Sequence, residues 1–153
     1  MNILLIGGTG VLSRAVVEES VKQGLGVTIV TRGQRKVDIP YSVKHIIGDF
    51  KNESFIKKSL KGLHYDAVID FLSRDKEEMA YSIELLHDFV GQFIFISTAC
   101  VYNTLIPGVK NEESEKVLDS WNYSKEKWEC ECILAELSKK YSIPYTVIRP
   151  CIS

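Results

Sequence analysis

The amino-terminal stretch "NILLIGGTGVLSRAVVEESVKQG", residues 2–24, decides the fold. An apolar run at 2–6 leads directly into "GGTGVLS", Gly7 to Ser13, and a helical pattern follows. Glycines at such a turn let the backbone approach a pyrophosphate, while the helix start offers free N–H groups and a positive dipole end. We therefore predict a dinucleotide-binding turn with Gly7 and Gly10 as its essential glycines. A plain tight turn is the alternative.

Short apolar runs alternate with helix-length segments along the rest of the chain. Nearly continuous apolar, β-branched runs are typical of strands that are buried on both faces of a sheet. The predicted strands are 2–6, 27–31, 43–47, 67–71, 93–97 and 144–149, and the predicted helices are 11–23, 52–61, 75–89 and 120–141. Repetition of strand, helix, strand requires right-handed crossovers. The predicted fold class is therefore α/β, a doubly wound, Rossmann-like parallel sheet with helices on both faces.

Length and charge limit the function. A length of 153 residues predicts one domain, residues 1–153. The 19 basic and 20 acidic residues give a net charge of −1, which disfavours nucleic acid or a membrane surface as a partner. The start has neither a basic leader nor a long hydrophobic run, so we expect a cytoplasmic protein without a signal peptide or membrane span.

The four cysteines predict no metal site and no disulfide framework. Cys130 and Cys132 are two residues apart in a predicted helix, where their side chains would point about 200° apart, which is unsuited to a shared metal. We expect all four cysteines to be reduced thiols.

The end of the second predicted strand bears on cofactor choice. An acidic residue at this position would bind the ribose hydroxyls of NAD, whereas an arginine accommodates the 2′-phosphate of NADP. The sequence there is "VTRGQRK", with Arg32 at the strand end and Arg35 and Lys36 close by. We expect NAD or NADP as cofactor and favour NADP. An exposed charge at a strand end is the other interpretation of Arg32.

Ser97 and Thr98 end the fifth predicted strand, and Tyr123 and Lys127 stand four residues apart on the next predicted helix, where they share one face. An ammonium beside a phenol favours the phenolate. A phenolate can remove a proton from a substrate hydroxyl while hydride leaves the same carbon for nicotinamide, and a threonine hydroxyl can bind the same oxygen. The context therefore predicts Thr98, Tyr123 and Lys127 as catalytic residues. The Tyr–Lys spacing by itself would indicate only a solvated pair.

A polar stretch at 103–119 separates these two features and contains the turn signal Pro107-Gly108. Ligands on parallel sheets bind at the carboxyl ends of the strands, where this loop would lie. It is either a lid or substrate loop, or a plain solvated connection.

With these motifs in order, the chain resembles the amino-terminal, nucleotide-binding part of the extended short-chain dehydrogenase/reductase family, the NAD-dependent epimerases and dehydratases of nucleotide sugars. The resemblance covers essentially the whole chain. Its motifs are "GGTGVLS" at 7–13, "GDFKNE" at 48–53, "STACVY" at 97–102, "YSKEK" at 123–127 and "IRP" at 148–150.

The resemblance implies roles for individual residues. Thr98 would orient the substrate oxygen, Tyr123 would be the acid–base group, and Lys127 would anchor the ribose and lower the pKa of the phenol. The cofactor would also contact Val11 and Leu12 under the pyrophosphate, Asp49 and Phe50 at the adenine, and Phe71, Leu72 and Ser73 after the fourth strand. The implied activity is that of an NAD(P)-dependent epimerase, dehydratase or reductase. Its substrate would carry a hydroxyl or carbonyl, as in a nucleotide sugar or related small molecule.

Four positions depart from the family pattern: Ser13 replaces the third glycine, Ile6 replaces a threonine, and Leu72 and Ser73 stand where the family has small residues after the fourth strand. These departures resemble the atypical branch that includes isoflavone-reductase-like enzymes and chloroplast stem-loop-binding RNA proteins, some of which have lost or changed catalysis. The alternative function is therefore a non-catalytic dinucleotide-binding protein that is regulatory or RNA-associated.

The family also implies further chain and a partner subunit. Its members bind substrate through a carboxyl-terminal segment, so we expect these residues to be part of a longer protein; a natural one-domain reductase is the alternative. Family members commonly dimerise through the helices predicted here at 75–89 and 120–141. The apolar residues of these helices either form such an interface or face the subunit's own sheet: Leu85, Leu86, Phe89, Trp128 and Leu134.

Overall fold

The computed structural model describes residues 1–116 and 122–151, which contain a six-stranded parallel sheet. The strands are β1 Asn2–Ile6, β2 Gly26–Thr31, β3 Lys44–Ile47, β4 Ala67–Asp70, β5 Phe93–Ile96 and β6 Tyr145–Ile148. They lie in the order β3-β2-β1-β4-β5-β6, and every neighbouring pair is parallel. The strand order reverses between β1 and β4, which is the switch point of a doubly wound sheet. The predicted fold class is confirmed.

The helices are α1 Val11–Lys22, α2 Glu53–Leu60, α3 Lys76–Leu86 and α4 Asn122–Tyr141. Two short 3₁₀ helices cover His87–Phe89 and Ala99–Val101. The predicted strands and helices are therefore all present, with ends that differ by a few residues. The segment predicted as helix to residue 89 becomes 3₁₀ after Leu86, and the predicted start of the last helix at residue 120 lies outside the described residues.

Side chains alternate between two cores, one on each face of the sheet. On one face Ile3 and Leu5 of β1 pack with Val17 of α1. On the other face Leu4 and Ile6 pack in a larger core with residues of α2, α3 and α4. Strands that are apolar on both faces are thus covered by helices on both faces, as the sequence predicts.

The apolar residues considered for a dimer interface belong mainly to the second core. Leu85, Leu86 and Leu134 are buried within the subunit, and the partly buried Phe89 packs against the same core. Trp128 is half-buried. These helices therefore use their apolar residues mainly against their own sheet, which is the second of the two expectations.

The cysteines divide by helix face as expected. Cys130 is fully buried, and burial raises the pKa of its thiol to about 12. Cys132, two residues further on, is exposed, and both carry free thiols, as do Cys100 and Cys151. Within residues 1–116 and 122–151 no group of three or more potential ligands could bind a metal ion. Over the same residues, no helix combines the length and the apolar character that crossing a bilayer requires.

Candidate active site

The glycine turn between β1 and α1 has a backbone that only glycine adopts readily. Gly7 has φ +97° and Gly8 has φ +137°. A Cβ atom added at Gly7 would lie 3.3 Å from Cβ of Phe71, and one at Gly8 would lie 3.0 Å from Cγ2 of Ile29. The turn therefore packs closely against the strand beneath it and against the loop that follows β4. This brings Gly7 together with Phe71 and Leu72, two residues that the family resemblance assigns to the cofactor.

Helix α1 begins directly after this turn, with Gly10 as its first capping residue. Ser13, at the family's third glycine position, is buried, and its hydroxyl oxygen accepts a hydrogen bond of 2.9 Å from the N–H of Gly10. The same hydroxyl lies 3.3 Å from the Gly10 carbonyl oxygen, to which it donates. The Ser13 hydroxyl thus binds both backbone polar groups of Gly10. It occupies the Gly10 N–H, which would otherwise be available to an anion.

The residues at the turn fit a dinucleotide. Val11 is 90% exposed and Leu12 is 40% exposed at the first turn of α1, where an apolar side chain gains by being covered. The first turn of a helix also leaves backbone N–H groups without intrahelical partners, next to the positive end of the helix dipole. The glycines allow close approach at the same place, so the turn combines features that a pyrophosphate site requires.

Two arginines follow the end of β2. The side chains of Arg32 and Arg35 are both exposed to solvent. Arg35 reaches the glycine turn, where its Nη1 donates to the carbonyl oxygen of Thr9 at 3.3 Å. Arg35 and Thr9 are 26 positions apart in the sequence, so no local sequence pattern could indicate that Arg35 makes this contact. The path of the chain after β2 therefore decides that Arg35 contacts the turn.

The turn after β3 is anchored to α3. Asp49 is exposed, and its Oδ1 accepts the N–H of Lys51 at 3.0 Å. Phe50 packs edge-on against the ring of Tyr81 at 5.9 Å, and its carbonyl oxygen accepts the Tyr81 hydroxyl at 3.1 Å. The Asp49 carboxylate therefore stays accessible to a ligand, while the Phe50 backbone is bound to the helix behind it.

Glu78 of α3 connects this turn to the loop after β4. Its Oε1 lies 3.0 Å from Nζ of Lys51 and 3.0 Å from Nη2 of Arg74, and its Oε2 accepts the Arg74 backbone N–H at 3.1 Å. The hydrogen bond from the Arg74 side chain, followed by that from Lys51, lowers the pKa of Glu78 to about 2. One carboxylate thus links two segments that are both expected to border the cofactor.

The loop after β4 is organised around Asp70. Its Oδ1 accepts the N–H groups of Leu72 at 2.7 Å and Ser73 at 3.0 Å, and its Oδ2 accepts the Ser73 hydroxyl at 2.7 Å. The Ser73 side chain is therefore buried against Asp70, whereas Leu72 is 46% exposed. Of the predicted residues in this loop, Leu72 offers a side chain to a ligand and Ser73 does not.

Lys127 is buried at the carboxyl end of the sheet. Its Nζ donates to the carbonyl oxygens of Ser73 at 2.9 Å and Ile96 at 3.0 Å, which follow β4 and end β5. The same nitrogen lies 4.3 Å from the centre of the Phe95 ring. Desolvation by burial lowers the pKa of Lys127. This ammonium is thus fixed between two neighbouring strand ends rather than being a solvated surface charge.

Thr98 and Tyr123 lie at the same edge of the sheet. Thr98 is buried, and its Oγ1 accepts the N–H of Cys100 at 3.2 Å, which caps the 3₁₀ helix after β5. Tyr123 lies one helical turn before Lys127 on α4 and is 39% exposed. The site therefore combines a buried ammonium with a phenol on the same helix that remains accessible to solvent.

A second group of charged residues adjoins this site. Arg149 belongs to the motif at 148–150, but the sequence patterns assigned it no role and did not single out Glu131. Glu131 lies one turn after Lys127 on α4 and is buried, and its Oε2 pairs with Nη2 of Arg149 at 2.6 Å. Arg149 also donates from Nη1 to the hydroxyl of Tyr102 at 2.8 Å. The sequence signals for this pair were the position of Glu131, four residues after Lys127, and the position of Arg149 at a predicted strand end. Neither position by itself indicates that the two side chains form an ion pair.

The predicted loop after β5 is closed at its base. Tyr102 and Lys116 form an isolated antiparallel bridge, and the N–H of Asn103 donates to the carbonyl oxygen of Glu115 at 2.9 Å. Nζ of Lys116 lies 4.7 Å from the centre of the Tyr102 ring. Residues 117–119 of the predicted loop lie outside the described residues. The two ends of the described part of the loop are thus paired with each other, and Tyr102 at this paired base accepts a hydrogen bond from Arg149.

The sequence profile of the NAD dependent epimerase/dehydratase family matches residues 3–152. The chain belongs to this family. Among curated relatives, the chloroplast stem-loop binding protein of 41 kDa b from Arabidopsis thaliana is 29% identical over 163 residues, which cover 97% of this chain and 41% of that protein. This member of the epimerase/dehydratase family therefore spans less than half of that relative.

Solved structures show the same fold. A UDP-glucose 4-epimerase superposes with a TM-score of 0.85 at 24% identity, covering 97% of this chain and 51% of that one. The UDP-glucose 4-epimerase of Thermus thermophilus in complex with NAD gives 0.83 at 18% identity, with coverage of 97% and 54%. Vestitone reductase from alfalfa, Medicago sativa, gives 0.80 at 17% identity, with coverage of 97% and 56%. The chain thus spans about half the length of these structures.

Proposed function

We propose that the chain provides the cofactor-binding and acid–base part of an NAD(P)-dependent epimerase, dehydratase or reductase. Its substrate would be a nucleotide sugar or related small molecule with a reactive hydroxyl or carbonyl. The observation that carries the proposal is the buried Lys127 ammonium, bound to the carbonyl oxygens of Ser73 and Ile96. An ammonium is costly to bury, so a site that retains one beside a helical tyrosine supports acid–base chemistry over a surface pair.

In this proposal, a nicotinamide cofactor held by these residues would supply the hydride transfer to and from the substrate carbon. Tyr123 takes the hydroxyl proton as hydride leaves and donates it in the reverse direction. Lys127 favours the phenolate form of Tyr123 by its charge and binds the ribose of the cofactor. The Thr98 hydroxyl binds the same substrate oxygen and orients it toward the phenol.

The proposed cofactor contacts are Gly7, Gly10, Val11, Leu12, Arg32, Asp49, Phe50, Phe71, Leu72, Ser73 and the Lys127 ammonium. The Ser73 hydroxyl is bound to Asp70, so its proposed contact is through the backbone. NADP is favoured over NAD because Arg35 lies at the glycine turn and Arg32 is nearby in the chain. A guanidinium can bind a 2′-phosphate through paired, charge-assisted hydrogen bonds. The proposed protein partner is a second copy of the chain, and the proposed compartment is the cytoplasm.

The test uses the polypeptide that contains these residues, with Tyr123→Phe as the variant and Tyr145→Phe as its control. Tyr145 is similarly exposed, at 44%, but lies on β6. NADH and NADPH binding is followed by nucleotide fluorescence, and turnover of UDP-glucose and related nucleotide sugars by NMR. We expect Tyr123→Phe to bind cofactor normally and to lose about 100-fold or more of its turnover, because the proton carrier is missing. Unchanged turnover in this variant would refute the assigned chemistry.

A non-catalytic, RNA-associated protein is the second candidate, and the similarity to a stem-loop binding protein favours it. The net charge of −1 argues against strong binding of a polyanion. A gel-shift titration with a stem-loop RNA at two salt concentrations separates the two. Salt-sensitive RNA binding without nucleotide-sugar turnover would favour this candidate, and cofactor-dependent turnover without RNA binding would exclude it.

A further inference from the structure

Glu131 is a buried carboxylate at the junction of three elements. Its Oε1 accepts the hydroxyl of Ser97 at 2.6 Å and Nε of Arg149 at 3.0 Å. Its Oε2 accepts Nη2 of Arg149 at 2.6 Å. Ser97 directly follows β5, Arg149 directly follows β6, and Glu131 belongs to α4. One side chain therefore joins two strand ends to the helix that carries Tyr123 and Lys127.

The contacts of Glu131 and Lys127 run in parallel. These residues are four apart on α4, and they bind the last residue of β5 and the residue after it: Lys127 donates to the Ile96 carbonyl oxygen, and Glu131 accepts from the Ser97 hydroxyl. Thr98 is the next residue. Two contacts, one helical turn apart on α4, therefore hold the two residues that precede Thr98.

Arg149 links Glu131 to Tyr102, which lies at the base of the loop after β5. The guanidinium binds Glu131 through two nitrogens, which fixes its plane, and its remaining nitrogen Nη1 donates to the Tyr102 hydroxyl at 2.8 Å. The hydrogen bonds that Arg149 donates to Glu131 and to Tyr102 raise the pKa of its guanidinium, which therefore stays charged. Tyr102 in turn pairs with Lys116 across the base of the loop.

A buried ion pair is weak evidence of a stabilising role, because the cost of desolvating two charges offsets most of their attraction. What such a pair does provide is geometry: two charged groups in bidentate contact accept few alternative arrangements. Of the groups in contact, Ser97 adjoins Thr98 in the chain and Glu131 lies one helical turn after Lys127.

We propose that Glu131 is a positioning residue, which acts through Ser97 on Thr98 and through Arg149 on the Tyr102 base of the loop. The proposal rests on the proposed function, since it concerns the relative placement of Thr98 and Lys127. Glu131 itself contacts neither substrate nor cofactor.

Amide hydrogen exchange of this chain tests the proposal without substrate. The local reporters are the N–H groups of Ser97, Ala99 and Tyr102, which donate to Ile148, Pro150 and Ala99 carbonyl oxygens respectively. The distant reporters are the N–H groups of Gly7 and Phe71, which donate to Val30 and Ile6 carbonyl oxygens. Glu131→Gln keeps the shape of the side chain and removes its charge, and Glu136→Gln on the exposed side of α4 is the control.

We expect Glu131→Gln to accelerate exchange at the local reporters by about 10-fold or more and to leave the distant reporters near their wild-type rates, as local opening does. The control variant should change neither set. Equally accelerated exchange at the local and the distant reporters would mean that Glu131 only stabilises the fold as a whole. Unchanged exchange at the local reporters would mean that Glu131 does not restrain the segment after β5. Either result would overturn the proposal.

If Glu131→Gln does not fold, Ser97→Ala tests whether Glu131 acts through Ser97, because this variant leaves the Glu131–Arg149 pair intact. It should accelerate exchange at residues 97 and 99 but leave Tyr102 close to wild type; unchanged rates at 97 and 99 would refute the action through Ser97.

In turnover assays, Glu131→Gln should lower kcat by about 10-fold while the KM for the cofactor stays within about twofold, because misplacement of reacting groups acts on the transition state. An unchanged kcat would refute the catalytic consequence. Failure of the proposed function is a separate result, since it would appear as full activity in Tyr123→Phe and would leave the exchange pattern of Glu131→Gln unaffected.

Discussion

Replacement of Glu78 by glutamine should destabilise the protein and remove part of its sensitivity to acid. Hydrogen bonds from Arg74 and Lys51 lower the pKa of Glu78 from 4.5 to about 2. A carboxyl group whose pKa is lower in the folded chain binds fewer protons there than in the unfolded chain. Its contribution to stability is therefore complete above about pH 4.5 and is lost as the pH falls toward 2.

The size of the effect follows from the same pKa difference. A difference of about 2.5 corresponds to about 3 kcal/mol, at about 1.4 kcal/mol for each pH unit. The Lys51 and Arg74 side chains are 69% and 73% exposed, so solvent screens both contacts. We therefore expect Glu78→Gln to lower the free energy of unfolding at neutral pH by about 1 to 2 kcal/mol.

The assay is urea denaturation followed by circular dichroism at neutral pH and at several values between about pH 5 and pH 2. Glu77→Gln is the control, because Glu77 is the neighbouring glutamate on α3 and its side chain is 73% exposed. The difference between wild type and Glu78→Gln should shrink as the pH falls, and Glu77→Gln should show little difference at any pH. Equal stabilities of the two variants at neutral pH, or a gap that does not close in acid, would refute the reasoning.

Two further predictions concern the cofactor. Gly7→Ala should abolish fluorescence-detected NADPH binding and cost about 1 to 3 kcal/mol of stability, because its Cβ would lie 3.3 Å from that of Phe71 at a φ of +97°. Gly24→Ala, at a φ of +74° with no atom within 4 Å of the added Cβ, should bind NADPH normally; equal loss in both would contradict the close-packing argument. Arg35→Gln should weaken NADPH binding about 10-fold and NADH binding little, because only NADPH carries the 2′-phosphate, with Lys36→Gln as the control. Equal losses for both nucleotides would disprove this role of Arg35.

Local patterns in the sequence were sufficient for the fold and for the motif positions. Continuous apolar runs at strand length can be buried only in a sheet covered on both faces, and the glycines at residues 7–10 open a backbone region that other residues rarely adopt. Both are properties of neighbouring residues, so they can be predicted without tertiary contacts. The parallel sheet, the helices on both of its faces and the positive φ at Gly7 agree with these predictions.

The sequence by itself determined the doubly wound sheet, the glycine turn and the order of the motifs at the carboxyl ends of the strands. Only the tertiary structure decided which guanidinium reaches the glycine turn, that the Ser73 hydroxyl is used by Asp70, and that Glu131 joins Ser97 to Arg149. The physical reason is that these contacts join residues from separate elements. Which side chains meet depends on how the strands and helices pack, and the charge or hydroxyl of a single residue does not specify its partner.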